Sequence, residues 1–307
     1  MSEGNLTQQC PKWDATRDAC DVGSTLINRI VDLEHIPFPA NVIFPDATPD
    51  VIRNSRLLLA PQHFGNDSQD LLLSFHSFLV RTSSHTILVD LCCGNDKNRP
   101  TRPAWHMQSG PFLDNLAAVG VKPEDIDYVM CTHLHSDHVG WNTRLDDGRW
   151  IPTFPNAQYL FAEKEVQYWK QIVKLGQSEN VLYGSYEDSI LPVINSGQAV
   201  FVTSSHVVET GIYLEPAFGH TPGNVIIHVE SNGKKAILSG DVFHHPVQLK
   251  YPKWSTNFCI NAEQSRVTRM TLLNEYANTN TMFLPAHFQT PEFGRIERDG
   301  NAYRMAI

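Results

Sequence analysis

His133-Leu134-His135-Ser136-Asp137-His138 places three histidines and an aspartate at a spacing with a direct physical meaning. On an extended segment, residues i and i+2 project to the same side, so His133 and His135 can face one point. Where the chain then turns into a helix start, Asp137 and His138 swing toward a second point nearby. Neutral imidazole nitrogens and carboxylate oxygens are suitable donors for divalent zinc. The preceding run, Asp127-Tyr128-Val129-Met130-Cys131-Thr132, is β-rich, so the cluster lies at the end of a strand.

Donors from one loop cannot complete the shells of two metals, so others must come from elsewhere. Three candidates share the same context, each beside a strand-like run. His220 lies in Gly219-His220-Thr221-Pro222-Gly223, a tight turn before the strand Val225 to Val229. Asp241 follows Ile237-Leu238-Ser239-Gly240, where an acidic side chain emerging from an apolar strand needs a partner. His287 follows Phe283-Leu284-Pro285-Ala286 in the same manner.

Further out, the pattern is of strands alternating with helices. Leu71 to Val80 and Thr86 to Leu91 flank the polar link Arg81-Thr82-Ser83-Ser84-His85 and form a hairpin candidate. Phe112 to Val119 predicts a helix stopped by Gly120, and Glu163 to Leu175 an amphipathic helix stopped by Gly176. Ser265 to Tyr276 predicts a third helix; strands are predicted over Gln158 to Ala162, Ala199 to Thr203, Val225 to Val229, Ala236 to Ser239 and Met282 to Pro285. Residues 1–50 are rich in Pro, Asn and Asp, with one short apolar segment, Ile27 to Leu33. They are expected to form an extension with at most one strand, packed on a catalytic domain of residues 51–307. Layered α/β (α+β) architecture fits this alternation.

Composition bounds the function. The chain has 307 residues, 41% of them apolar and 19% charged, with a formal charge of −9. That balance argues against a protein that grips phosphate backbones, so no nucleic-acid partner is expected. No run approaches the roughly 18–20 apolar residues of a membrane helix. The polar start, Met1-Ser2-Glu3-Gly4-Asn5, lacks a basic and then apolar leader. Cys10, Cys20, Cys92, Cys93, Cys131 and Cys259 show no paired C-x-x-C spacing and read as reduced thiols of a cytoplasmic protein. Cys131, just before the cluster, is expected to be buried and not a metal ligand.

Taken together, His133, His135, Asp137, His138, His220, Asp241 and His287 resemble the motif set of the metallo-β-lactamase superfamily, and Asp90 in Leu88-Val89-Asp90 matches its first motif. The resemblance runs from about Leu71 to the end. It implies a four-layer αββα sandwich with metals at one edge between two sheets. By that resemblance, His133, His135 and His220 hold one metal, Asp137, His138 and His287 hold the other, and Asp241 bridges both. Asp90 orients the groups that touch metal.

Details narrow the branch. β-Lactamases of the superfamily carry Cys or Ser where Asp241 stands. Glyoxalase II-like enzymes add a helical substrate domain after the last histidine, and the stretch after His287 is too short for it. The nuclease branches bring basic surfaces, and persulfide dioxygenases use one iron. Gly240-Asp241-Val242-Phe243-His244-His245-Pro246-Val247-Gln248 resembles a G-D-x-x-H-x-x-x-Q segment of methyl parathion hydrolase-like proteins, and the spacings around Asp241 resemble acyl-homoserine lactonases. Those lactonases place Tyr where His244 stands, and the family often has His in place of Asn224. The resemblance implies a hydrolase with two zinc ions, manganese, cobalt and iron remaining open, in which metal-bound hydroxide attacks the carbonyl of a lactone or related ester. Asp137 and His244 are the expected catalytic groups, His244 donating to the developing oxyanion. Lactams, carbamates and phosphotriesters are alternative small-molecule substrates; an iron redox enzyme and a non-catalytic metal-binding protein are the competing classes. The reading allows a homodimer. Trp105-His106-Met107, Trp141 and Trp150 to Phe154 are candidates for the pocket wall, though each such segment is more often core than substrate contact; His35, His76, His85, His206 and His228 are expected to be structural.

Overall fold

Apolar alternation in the first half of the chain builds a sheet buried on both faces. The computed structural model describes residues 9–56, 59, 61–65, 69–177 and 182–307; the polar start at Met1 to Asn5 lies outside them. Strands β1 (Trp13–Asp14), β2 (Ala19–Val22), β3 (Thr25–Pro39), β4 (Asp70–Arg81), β5 (Thr86–Val89) and β6 (Tyr128–Met130) follow in order. After the small hairpin β7 (Thr143–Asp146) and β8 (Arg149–Pro152), the sheet is completed by β9 (Gln158–Ala162) and β10 (Ala199–Val202). The order across it is β1-β2-β3-β4-β5-β6-β9-β10. Pairing is antiparallel from β1 to β5 and parallel from β5 to β10.

A second sheet comprises β11 (Val207–Glu209), β12 (Ile212–Pro216), β13 (Val225–Ser231), β14 (Lys234–Gly240), β15 (Thr281–Pro285), β16 (Gly294–Asp299) and β17 (Ala302–Ala306), in that order. Successive side chains of a strand point to opposite faces, and the core divides accordingly. Val80, Ile87, Val89 and Met130 meet Ile227, Ile237 and Phe283 of the second sheet. Their neighbours Leu79, Leu88 and Val129 meet Phe112 and Leu116 of the Phe112–Ala118 helix and Val166 and Trp169 of the Glu163–Lys174 helix. Leu272 and Leu273 of the Ala262–Tyr276 helix join the second sheet's core. Helices and two facing sheets thus form the expected αββα sandwich, with the predicted 71–91 hairpin and all three predicted helices present.

The N-terminal expectation of at most one strand is corrected. Residues 13–39 supply β1, β2 and the long β3, which pairs with β4 from Leu26↔Arg81 to Pro39↔Asp70. Register shifts between Val31 and Leu33 and between Leu33 and Ile36 interrupt this pairing, with His35 at φ 57°. Such bulges break the two-residue alternation by which a strand is read from sequence. Two-residue turns close three hairpins: Asp147-Gly148 at φ 46° and 74°, Asn232-Gly233 at 49° and 74°, and Gly300-Asn301 with Gly300 at 60°. Positive φ at these positions suits the twist of two-residue hairpin loops.

Candidate metal centre

Strand ends carry the whole histidine–aspartate set to one edge of the sandwich. Backbone extends through His135 (φ −65°, ψ 157°) and turns into the short Ser136–Val139 helix, as the alternation-then-turn reading requires. His220 lies on the turn before β13, Asp241 directly after β14, and His287 just after β15.

The donors converge in two groups: His133, His135, His220 and Asp241 in one; Asp137, His138 and His287 in the other, with ligand atoms in each within 4.8 Å of one another. In the first, His220 Nε2 is 3.1 Å from His133 Nε2 and 2.9 Å from His135 Nδ1, which are 3.1 Å apart. Nitrogens about 2.0–2.1 Å from one tetrahedral ion stand roughly 3.4 Å apart, so this triangle is close to that of a shared cation. Asp241 spans the groups. Its Oδ2 is 3.1 Å from His220 Nε2 and 3.8 Å from His133 Nε2, while Oδ1 is 3.2 Å from His138 Nε2 and 3.0 Å from His287 Nε2. Asp137 Oδ2 faces the second group, 3.8 Å from His138 Nε2 and 3.7 Å from His287 Nε2.

Electrostatics divide the donors. Although burial opposes it, the Asp241 carboxylate pushes the imidazoles of His138, His220 and His287 above their ordinary range, so each carries a proton that a bound cation would displace. Burial holds the imidazoles of His133 and His135 well below their ordinary range, so both are neutral donors. Although burial opposes its charge, neighbouring imidazoles hold the Asp241 carboxyl well below the carboxylate range. Despite its short approaches, Asp241 Oδ1 makes no aligned hydrogen bond, nor do the ring nitrogens of His138. Buried polar atoms normally find partners. These unpartnered atoms, converging with the other imidazole and carboxylate donors, fit a pair of divalent cations, and N/O donors of this kind suit zinc.

Outer contacts fix the donors' orientation. Asp90, at φ 53°, accepts from Thr132 N at 2.7 Å and Thr132 Oγ1 at 2.8 Å, and its Oδ2 lies 3.0 Å from His138 Nδ1. His287 Nδ1 is held 2.9 Å from the Ser74 carbonyl, and His220 Nδ1 contacts Cys259 Sγ at 3.5 Å. Gly240 approaches Thr132 so closely that a Cβ would stand 2.6 Å from its Oγ1. Cys131 is buried and outside both donor groups, its thiol pushed well up by burial.

Sequence reading missed Glu165. Buried beneath both donor loops, it accepts from Leu134 N at 3.1 Å, Gly223 N at 2.8 Å and Trp169 Nε1 at 2.6 Å. Burial raises its carboxyl pKa against the pull of these donors. The available signal was an acidic residue within the apolar stripe formed by Val166 and Trp169.

His244 lies beside the centre. Its Nε2 is 3.0 Å from Asp241 Oδ2, and its ring stacks against His287 at 5.9 Å. Gln248 braces it, accepting from His244 N at 2.7 Å and donating to Trp254 O at 3.1 Å. A cavity of about 440 Å³ opens over the donors, with His244, Asp137, Phe38, Phe75, Trp105 and Arg102 in its lining. Of the candidate wall residues, Trp105 is in this lining. Trp141 instead stacks on Phe112 at 5.1 Å and donates to Asp32 at 2.9 Å, and Trp150 lies 3.6 Å beneath Lys97 Nζ. His106 Nδ1 accepts from Arg99 N at 3.0 Å, and Met107 is exposed.

The metallo-beta-lactamase superfamily family model matches residues 74–287. The chain belongs to that superfamily. An N-acyl homoserine lactonase of Bacillus sp. is 29% identical over 41% of this chain and 42% of its own length, so the chain spans about two fifths of the lactonase relatives it matches. A UPF0173 metal-dependent hydrolase of Staphylococcus aureus (strain MRSA252) is 25% identical over 64% of this chain and 83% of its own length. Among solved structures, the hydrolase AbOPH of the beta lactamase superfamily superposes with TM-score 0.77 at 23% identity, over 97% of this chain and 98% of that one. AidC, described as a dizinc quorum-quenching lactonase in complex with a homoserine product, gives TM-score 0.77 at 16% identity over the same shares. At these identities the structural likeness establishes the fold. No helix among the described residues is long and apolar enough to cross a membrane.

Proposed function

We propose that this superfamily member is a two-metal hydrolase that opens a lactone or cleaves a related carboxylic ester, with zinc as its metal. The observation that carries the reading is Asp241, whose two oxygens face different histidine groups at 3.0–3.2 Å. The lactonase relatives and the dizinc neighbour support the substrate class and the metal. Two divalent cations held there would lower the pKa of a shared water toward neutrality and polarise the substrate carbonyl.

The remaining work falls to side chains. His133, His135 and His220 would hold one cation; Asp137, His138 and His287 the other; Asp241 both. Asp137, in the cavity lining, is placed to take a proton released in the attack and return it to the departing oxygen. His244, braced through Gln248, is the donor available to an oxyanion beside Asp241. Phe38, Phe75 and Trp105 give the cavity an apolar wall that would exclude water around a bound substrate. Six unpaired cysteines support a reducing, cytoplasmic setting.

The test is a hydrolysis screen of zinc-, manganese- and cobalt-loaded protein on lactones, aryl esters, lactams and phosphotriesters, with metal content measured in parallel. Near two metals per chain and fastest turnover on lactones or esters are expected. Faster turnover of phosphotriesters or lactams, or no hydrolysis in any class by fully loaded protein, would overturn the proposal.

A further inference from the structure

Charge is unevenly distributed in the cavity. Its acidic groups, Asp137 and Asp241, belong to the metal end, whereas Phe38, Phe75, Trp105 and Tyr183 make much of the wall. Among the described residues, Arg102 is the one Lys or Arg side chain in the lining. A ring-to-ring path joins it to the donors: His287 to Phe75 at 5.0 Å, Phe75 to Trp105 at 5.7 Å, and the Arg102 guanidinium to Trp105 at 5.7 Å.

The guanidinium is held but not satisfied. It donates to the Tyr183 hydroxyl and lies 4.8 Å from the Tyr183 ring centre and 5.8 Å from that of Phe258. Its Nε is buried without a hydrogen-bond partner, and no carboxylate among the described residues pairs with it. Aromatic rings serve the face of a guanidinium; its N–H edge calls for oxygen, and anionic oxygen is bound most strongly. The loop beneath is tied down by hydrogen bonds and an ion pair. Arg102 N donates to Arg99 O at 2.8 Å and Trp105 N to Arg102 O at 2.9 Å, while Arg99 grips Asp188 through bonds of 2.7 and 2.8 Å. With no carboxylate partner, the guanidinium's other N–H groups in the cavity wall are what a bound anion would meet, the enclosed Nε being out of a ligand's reach.

We infer that Arg102 is a specificity-determining residue that selects substrates carrying a carboxylate at the end remote from the cleaved bond, their apolar body lying along Phe75 and Trp105. This rests on the lactone- or ester-hydrolysing reading above, which by itself leaves the remote end of the substrate unspecified.

The test compares 4-nitrophenyl heptanoate with the half-ester 4-nitrophenyl hydrogen heptanedioate, which differ in the terminal carboxylate. In the metal-loaded protein, Arg102→Gln should cut the preference for the anionic ester, as a kcat/KM ratio, by about ten- to fiftyfold, mainly through KM. Arg102→Lys should keep part of it, since the charge stays and the planar fork is lost. Equilibrium binding of 4-phenylbutane-1-sulfonate and neutral 4-phenylbutan-1-ol, measured by calorimetry, repeats the comparison without turnover. Sulfonate affinity should fall by a similar factor in Arg102→Gln, and in the unaltered protein added salt should weaken the sulfonate more than the alcohol. Arg102-dependent sulfonate binding by protein that hydrolyses neither ester and no lactone or ester of the wider screen would defeat the hydrolase reading and leave anion selection standing. Hydrolysis with unchanged ratios in Arg102→Gln, or equal losses for charged and neutral ligands, would overturn the inference. Should Arg102→Gln fail to fold, the Arg102→Lys ratios and the salt response decide in the same way.

Discussion

Replacing Glu165 by Ala should weaken one half of the metal centre more than the other. Glu165 Oε1 accepts from Leu134 N, between His133 and His135, and Oε2 from Gly223 N, in the turn that carries His220. It therefore ties together the two loops that supply the first donor group. Removing the carboxylate leaves those two amides and the Trp169 indole N–H buried without acceptors. Each such orphan costs roughly 1–3 kcal/mol, and water entering the vacated space recovers part of it, so a net loss of about 3–4 kcal/mol is expected. For a domain of this size that lowers Tm by roughly 5–6 °C. Loosening an orienting contact typically costs about ten- to a hundredfold in metal affinity. Competition with a chelator should therefore strip one ion at correspondingly lower chelator concentration, while the ion held by Asp137, His138 and His287 leaves as in the unaltered protein. Glu165→Gln should be intermediate, since its amide oxygen can serve Leu134 and Trp169 while its NH2 opposes the Gly223 N–H. Calorimetric unfolding and metal release read both effects. An alanine variant with unchanged Tm and release of both ions would refute the reasoning; a Gln variant as damaged as Ala would show that charge, not acceptor count, is what Glu165 contributes.

Asp241→Ala should lower metal content below two per chain and reduce turnover at least several hundredfold, because its oxygens face both donor groups; near-normal turnover of the purified variant would contradict the bridging assignment. His244→Ala should keep both metals and lower kcat about ten- to a thousandfold with a smaller change in KM, and His244→Tyr should recover part of the loss on lactones; an unchanged kcat would make His244 a bystander. Burial lowers the Lys97 pKa from 10.5 to about 7, so between those values the unfolded chain binds the additional proton and stability rises with pH. That gain, roughly 2 kcal/mol from pH 7 to 9, should be missing in Lys97→Met, and denaturant unfolding at the two pH values measures it; equal slopes in both proteins would refute the assignment.

The centre was legible where one short segment carries several donors and where polar residues end apolar strands. His133 to His138 did the first, Asp241 and His287 the second, and the structure gathers them with His220 at one edge. What stayed hidden depended on which way a side chain faces after folding. Trp141 and Trp105 are alike as sequence signals, yet Trp141 is turned into the core by its bond to Asp32, and Trp105 faces the cavity. Phe38 and Val42 reach the cavity from a segment read as an extension, because β3 pairs along β4 and Asn257 binds the backbone at Val42 and Ile43. Glu165 left one mark, an acidic residue within an apolar stripe, but its role stayed hidden for a similar reason. Its partners are backbone amides of two distant loops, and backbone amides leave no mark in a sequence.

The position of the centre also follows from how the sheets are joined. Val225 N, at the start of β13, donates to Thr132 O at 2.9 Å, just beyond β6. Ser74 N in β4 donates to His287 O at 3.1 Å, and the His287 ring returns to Ser74 O at 2.9 Å. These cross-ties occur where strands of both sheets run out, so backbone groups that no ladder can use bond across the gap instead. The same gap brings imidazoles from the first sheet's loop against carboxylate and imidazole from the second's. The donors are therefore held by both halves of the sandwich. A relative shift of the sheets would alter spacings such as the 3.2 Å between His138 and Asp241 and would have to repack the core that lies between the sheets. The buried carboxylates Asp90 and Glu165, each fastening a donor loop to a fixed element, restrain that motion on the side of the first sheet.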